Sequence, residues 1–310
     1  MPIVTRRDLL AASAGLAVAA TMPSNLPAKD PVAAPFGFCL NTSTIRGQKL
    51  PITEIVDLAA KAGYDAIEPW LGELQNFVTK GGILKDLGKR IADAGLKVES
   101  SIGFAKWIVD DDAVRKQGLD EAKRDMEMVL AIGGKRIAAP PAGATEQANM
   151  NLNAIADRYK ALAEVGAKVG VIPEVEVWGF SKTLSKLGET VLVAMESAHP
   201  QACVLPDIYH LFKGGSGFEG LKMLQGKAIG IFHVNDYPQD KDAKAIKDAD
   251  RVFPGDGVAP LSQVFRTLRE IGYKGMLSLE LFNPEYYKRD AFEVLKTGLE
   301  KTKAAVAASL

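Results

Sequence analysis

Eight short apolar runs recur along this chain, each followed by an amphipathic helical pattern, and that alternation constrains the fold more than any other feature. The runs are FGFCLN, YDAIEPW, LKVESSIGF, KRIAAPPAG, VGVIPEVEVWG, ACVLPD, AIGIFHVND and KGMLSLELF. A strand followed by a helix covers its sheet face only when the next strand lies parallel to it, so repeated units of this kind build a parallel sheet clothed by helices. Eight units, with seven helices between them and an eighth after the last, predict an α/β chain folded as a (β/α)8 barrel. KAGYDAIE, DAGLKVES, AIGGKRIA and EIGYKGMLSLE repeat one joint, with Gly63, Gly95, Gly133 and Gly272 where a helix should stop before an apolar strand. An open doubly wound sheet would normally carry a Gly-rich phosphate loop after its first strand, and LNTSTIRG is no such loop.

The first residues are a different material. TRRDLLAASAGLAVAATMP pairs Arg6 with Arg7, continues with an apolar run from Leu9 to Ala20, and offers a small-residue cleavage site at Ala17-Val18-Ala19. It resembles a twin-arginine export signal, and the run is too short to span a bilayer. The expected organisation is a signal over residues 1–22, a linker over 23–35 and a single barrel domain over 36–310, with a periplasmic or secreted destination. Of the 310 residues 47% are hydrophobic, enough for one large core. Lys+Arg and Asp+Glu both number 38, so no overall field draws in nucleic acid or an anionic membrane, and a neutral small molecule is the expected partner. Cys39 and Cys203 lie in separate predicted strands and read as small buried hydrophobes.

Barrel chemistry gathers at the carboxyl ends of the strands, where the βα loops converge. Strand 5 ends at Glu176, strand 6 at Asp207, strand 7 at His233 and strand 8 at Glu280. One carboxylate at a strand end is commonly a helix cap or a loop anchor. Three carboxylates and an imidazole aimed into one mouth would repel and desolvate one another unless a cation sat among them. Oxygen ligands with one imidazole suit Mn²⁺ first, then Mg²⁺ or Co²⁺, and also admit Zn²⁺. Glu174 has the same strand parity as Glu176 and also faces inward, so strand 5 offers two carboxylates.

EVEVWGF, LPDIYHLF, IFHVNDYP, DRVFPGDG and LSLELFNPEYY, in this order and spacing, resemble the sugar phosphate isomerase/epimerase family of xylose isomerase-like TIM barrels. The resemblance covers about residues 36–305. It implies Glu176, Asp207, His233 and Glu280 as metal ligands, with Glu176 preferred over Glu174, and His210 and Arg251 as holders of the substrate's oxygens. It also implies Glu176 and Glu280 as the catalytic acid and base, passing a sugar through a cis-enediolate. Glu68 at the end of strand 2, with Asn41 at the end of strand 1, is expected near the substrate. Trp107 and Trp178 are expected to wall the pocket, with Trp70, Phe180 and Phe282 in similar loop positions.

Three rivals fit parts of the pattern. An abasic-site endonuclease would need several zinc ions and more imidazoles than His199, His210 and His233 supply, and a basic groove as well. A dehydratase or lyase acting on a keto-sugar or keto-glycoside, as the resemblance to inosose dehydratases also implies, would use the same metal and base to expel a group after proton removal. A sugar-binding barrel without catalysis would need only the pocket. A homo-oligomer pairing through outer helices is compatible with any of them. The charged stretch DYPQDKDAKAIKDADR after strand 7 reads as a solvated face.

Overall fold

A computed structural model of the chain describes residues 35–310. The proposed signal, and the proposed linker up to residue 34, therefore lie outside the described residues. Eight parallel strands are present: β1 (Gly37–Asn41), β2 (Ala66–Glu68), β3 (Lys97–Val98), β4 (Arg136–Ala139), β5 (Ile172–Glu176), β6 (Val204–Leu205), β7 (Phe232–Val234) and β8 (Met276–Leu279). They pair in the orders β3-β2-β1-β8-β7 and β4-β5-β6. The two arcs are joined by the Ala138 N–H donating to the Ser101 carbonyl at 2.9 Å and by the parallel bridges Val204–Ile229 and Asp207–His233. The result is the expected closed (β/α)8 barrel.

The helices are α1 (Ile52–Ala62), α2 (Leu71–Thr79), α3 (Leu84–Asp93), α4 (Asp112–Ala131), α5 (Leu152–Val169), α6 (Leu187–Glu196), α7 (Ile208–Gly214), α8 (Leu261–Glu270) and α9 (Ala291–Ala307). Two of them, α2 and α3, share the β2–β3 connection, so the described residues hold one helix more than the sequence pattern predicts. The break falls at Gly81 and Gly82, where Gly81 adopts φ +89°. In α1 the buried positions Ile52, Ile55, Val56 and Ala59 follow helical spacing, which turns one apolar stripe onto the barrel wall. Gly63 closes α1 with φ +91°, its N–H returning to the Ala59 and Ala60 carbonyls. Gly95, Gly133 and Gly272 also have positive φ, so all four joints read from sequence are left-handed stops.

Strand parity sorts the core. Phe38 and Leu40 of β1, Val175 of β5, Phe232 and Val234 of β7, and Leu277 and Leu279 of β8 point outward into the layer beneath the helices. Cys39, Ala66, Ile102, Ala138, Leu205, Ile231 and Met276 fill the lumen instead. Further along the inward rows come Asn41, Glu68, Glu176, His233, Ser278 and Glu280, all buried. The polar residues are thus stacked on a plug of small apolar side chains at the carboxyl end of the barrel. Cys39 and Cys203 are buried and unbridged. No helix among the described residues is long and apolar enough to cross a membrane.

Candidate metal centre

Proline explains why Asp207 is available. Pro206 has no N–H for the sheet ladder, so β6 ends at Leu205 and Asp207 becomes the N-cap of α7 rather than a strand residue. Its Oδ1 accepts from the His210 N–H at 2.9 Å, which fixes the carboxylate at the mouth. Asn235 Nδ2 reaches both Asp207 oxygens, at 3.3 and 3.2 Å.

Donor atoms of Asp207, His233 and Glu280 all lie within 4.8 Å of one another. His233 Nδ1 stands 3.3 Å from Glu280 Oε2 and 3.6 Å from Asp207 Oδ2. On the far side of the ring, His233 Nε2 lies 3.0 Å from Glu68 Oε2, which also accepts from Ser278 Oγ at 2.7 Å and Asn41 Nδ2 at 3.0 Å. That oxygen gathers donors, so an imidazole proton belongs on Nε2, while Nδ1 faces the two carboxylates, where a bound cation would take the place of its proton. Burial works to depress the His233 pKa, but Glu68 and Glu280 overcome it and raise the imidazole well above its ordinary value. Burial likewise works to raise Glu68, yet His233 holds that carboxyl below its ordinary range. Glu68 is fully buried behind His233 and does not line the cavity, which corrects its expected place beside the substrate.

Arg251 reaches back from the loop after β7. Its Nη1 donates to Glu280 Oε2 at 2.7 Å and Asp207 Oδ2 at 3.0 Å, and its Nη2 donates to Asp248 Oδ1 at 2.6 Å. Its guanidinium rests 4.2 Å from the Tyr209 ring centroid. Burial acts to raise the Asp207 carboxyl, but Arg251 and then His210 hold it far below the usual carboxylate range. His210 is buried beside the cavity, with Nδ1 3.3 Å from the Gly179 nitrogen and Nε2 3.3 Å from Arg251 Nη2. Burial lowers its pKa to about 4, so the ring is neutral at physiological pH.

Glu176 stands in the same cavity but outside the three-residue cluster. Burial raises its carboxyl well above the ordinary range, and Glu280 and Asp207 push the same way while His233 opposes them. Arg251 carries one positive charge against Asp207, Glu280 and Asp248, and Glu176 forms no ion pair with any of the described residues. Its Oε2 and His233 Nδ1 are both buried without a hydrogen-bond partner. Two orphaned donor atoms beside a carboxylate pair fit a divalent cation, which would satisfy both and offset the excess negative charge. Glu174, the alternative on β5, points into the lower barrel, where its Oε2 accepts from the Ile231 N–H at 3.1 Å and Arg136 Nη1 lies 3.5 Å from Oε1.

A cavity of about 230 Å³ opens above these groups. Its rim is a closed succession of rings. Phe282 and Trp70 have centroids 6.0 Å apart, Trp70 and Phe104 5.2 Å, Phe104 and Trp178 6.0 Å, and Trp178 and Phe180 5.1 Å. Phe180 meets His210 at 5.6 Å, and Arg251, 3.3 Å from His210 Nε2, closes the loop 5.0 Å from the Phe282 centroid. Trp178 is thus in place at the cavity. Trp107 is not, because its ring packs on Tyr159 inside the core and its Nε1 donates to the Pro140 carbonyl at 2.9 Å. Phe104, three residues earlier, takes the rim position that sequence reasoning gave to Trp107.

Sequence reasoning also missed Asn235, Ser278 and Asp248. Asn235 sits two residues beyond His233, and Ser278 shares the inward parity of Glu280, so both carried a local signal. Asp248 carried none. Its loop, expected as a solvated face, is pinned by buried Asp236, which accepts from the Gly255, Gly257 and Ala259 N–H groups, and by Tyr237 stacked 3.9 Å from Phe212.

The chain is similar to several known proteins. Over 273 residues the chain is 28% identical to an inosose isomerase of Bacillus velezensis, covering 86% of this chain and 96% of that protein. It is 25% identical to a fructoselysine 3-epimerase of Escherichia coli O157:H7, covering 79% of this chain and 93% of that one. A solved structure described as IOLI protein with a binding zinc atom superposes with a TM-score of 0.82 at 26% identity, covering 89% of this chain and 99% of its own. The profile of the xylose isomerase-like TIM barrels matches residues 56–301, and the chain, with its eight-stranded barrel and its polar rim at the strand ends, belongs to that family.

Proposed function

We propose that the protein is a divalent-metal-dependent sugar isomerase or epimerase that moves a proton at the carbon beside a ketone. The observation that carries this reading is the joint placement of Asp207, His233 and Glu280 as one donor cluster with Glu176 in the same cavity and outside that cluster. The likeness to an inosose isomerase and a fructoselysine epimerase supports it.

Asp207, His233 and Glu280, joined by Glu176, would hold the ion, which when bound supplies Lewis-acid polarisation of a carbonyl. Mn²⁺ is the first choice for a set of three carboxylates and one imidazole, ahead of Mg²⁺ and Co²⁺. Zinc in the IOLI structure keeps Zn²⁺ in contention.

Glu176, on one face of the substrate carbon, exchanges a proton with it by way of an enediolate. Glu280 serves the opposite face of the same carbon, and the handedness of the sugar sets which glutamate is base and which is acid. His210, beside Arg251 in the cavity, would hold a substrate oxygen. Arg251 holds the Asp207 and Glu280 carboxylates in register and offsets their charge. The aromatic rim keeps water away from the reacting carbon. On the strength of Arg6, Arg7 and the apolar run that follows, we also propose export across the cytoplasmic membrane.

The test is to incubate manganese-loaded protein in D₂O with a panel of ketoses. Deuterium at the carbon next to the carbonyl, in an epimer or isomer, is the expected result. Release of water would move the protein to the dehydratases. Sugar binding without any exchange would leave a carbohydrate-binding barrel.

A further inference from the structure

We propose that the outer, aromatic part of the rim is a subsite for a second ring, so that the substrate is a keto sugar carrying a neutral glycosyl or aryl group rather than a free monosaccharide. The proposal rests on the isomerase reading and adds to it the size and chemistry of the substrate.

The rim is divided by depth. Its polar arc, Arg251 and His210, is buried beside the metal ligands. Its aromatic arc rises to solvent, where Phe104 is 39% and Phe180 is 44% exposed. One sugar ring held by the deep polar groups engages the metal centre. It leaves the two outermost phenyl faces in water, where large apolar side chains gather at binding sites more often than by chance. A second ring attached away from the reacting carbon would lie between those faces, its C–H or π surface against theirs.

The lip is built into place. Gly179 lets the Trp178–Phe180 turn press on α7, since a Cβ there would come within 2.3 Å of the His210 carbonyl oxygen and 2.5 Å of the Gly214 nitrogen. Phe180 is thereby set against the His210 ring. On the other flank the Arg46 guanidinium lies 3.6 Å from the Trp70 centroid and 5.4 Å from that of Phe282. Its edge offers N–H donors to ring hydroxyls.

The aromatic faces, rather than charge, favour a neutral ring over a phosphate as the outer group. Arg251 Nη1 and Nη2 are already committed to Asp207, Glu280 and Asp248, and the Arg46 guanidinium is stacked over the Trp70 ring.

The experiment compares D-fructose, D-tagatose and L-sorbose with their 6-O-glucosyl derivatives and their 6-phosphates. Binding to the metal-loaded protein is read by quenching of Trp70 and Trp178 emission, and proton exchange in D₂O is read in parallel. At least one glucosyl derivative should bind about tenfold or more tightly than its bare sugar and its phosphate. Phe180→Ala and Phe104→Ala should each cut that ratio by about tenfold. Phe180→Leu, which keeps apolar bulk without a π face and guards against misfolding, should fall between. Equal affinity for bare and glucosylated sugars, preference for the phosphates, or no binding by any of them overturns the proposal. Exchange on bare ketoses without a glucosyl preference sinks the subsite and keeps the isomerase reading. A glucosyl preference without exchange does the reverse.

Discussion

Glu68 offers the sharpest test of the metal centre, because its position assigns it to the imidazole rather than to the substrate. One oxygen, Oε2, accepts from His233 Nε2, Asn41 Nδ2 and Ser278 Oγ, whereas Oε1 is buried with no partner. In Glu68→Gln the amide oxygen must take the Oε2 position to keep its three donors, which drives the amide NH₂ into the partnerless Oε1 position. Leaving that group unsatisfied costs about 1–3 kcal/mol of stability. The substitution also removes the charge that holds the His233 proton on Nε2 and makes Nδ1 electron-rich. Carboxylates behind a metal-bound histidine typically contribute 10- to 100-fold in affinity, about 1.4–2.7 kcal/mol. Calorimetric titration of metal-free protein with Mn²⁺ should therefore show a dissociation constant raised by that factor. At saturating metal the KM for sugar should move far less than the metal affinity. An unchanged Mn²⁺ affinity together with a raised KM would refute the argument and return Glu68 to the substrate.

Further outcomes separate the roles of neighbouring groups. Glu176→Gln should lower proton exchange by about 10²–10⁴-fold with much of the metal affinity retained, whereas Asp207→Asn should lose the metal first; exchange assays and calorimetry distinguish the two. Stripping the metal with a chelator and restoring Mn²⁺ to 100 times its dissociation constant should raise the thermal midpoint by roughly 5–10 °C in a melting scan, because ligation adds about 2.7 kcal/mol to the folded state. Asp125, on α4, has its pKa raised from 3.8 to about 6, first by burial and then by Glu121. The folded state thus binds that proton more tightly than the unfolded chain, so this residue's contribution is most favourable below about pH 4 and is lost as pH rises through about 6. Asp125→Asn should accordingly stabilise the protein by about 1–3 kcal/mol at pH 7–8 and by almost nothing at pH 4, as urea unfolding at the two pH values would show. Equal effects at both would refute the assignment.

The local code of the chain carried the architecture. Period-two alternation in β1, β5, β7 and β8 selects inward and outward side chains by pleat geometry alone, so it places Glu176, His233 and Glu280 in the lumen without reference to any distant residue. Glycines at 63, 95, 133 and 272 end their segments for an equally local reason, the absence of a Cβ at positive φ. Barrel closure supplied what those signals could not. Glu68 on β2 and His233 on β7 are 165 positions apart and meet only because β1 and β8 lie between their strands and contribute Asn41 and Ser278 to the same oxygen. Trp107 and Phe104 are both aromatic residues after β3, and sequence spacing favours neither; the turn that buries the indole against Tyr159 leaves the phenyl ring at the rim. Arg251 and Asp248 come from a loop whose composition reads as solvated, and only its anchoring by Asp236 and Tyr237 folds them over the carboxylates. Alternation and turn residues act within a few positions, so the sequence declares them directly. Which buried charge answers which other charge depends on the cyclic order of eight strands, and that exists only once the sheet has closed.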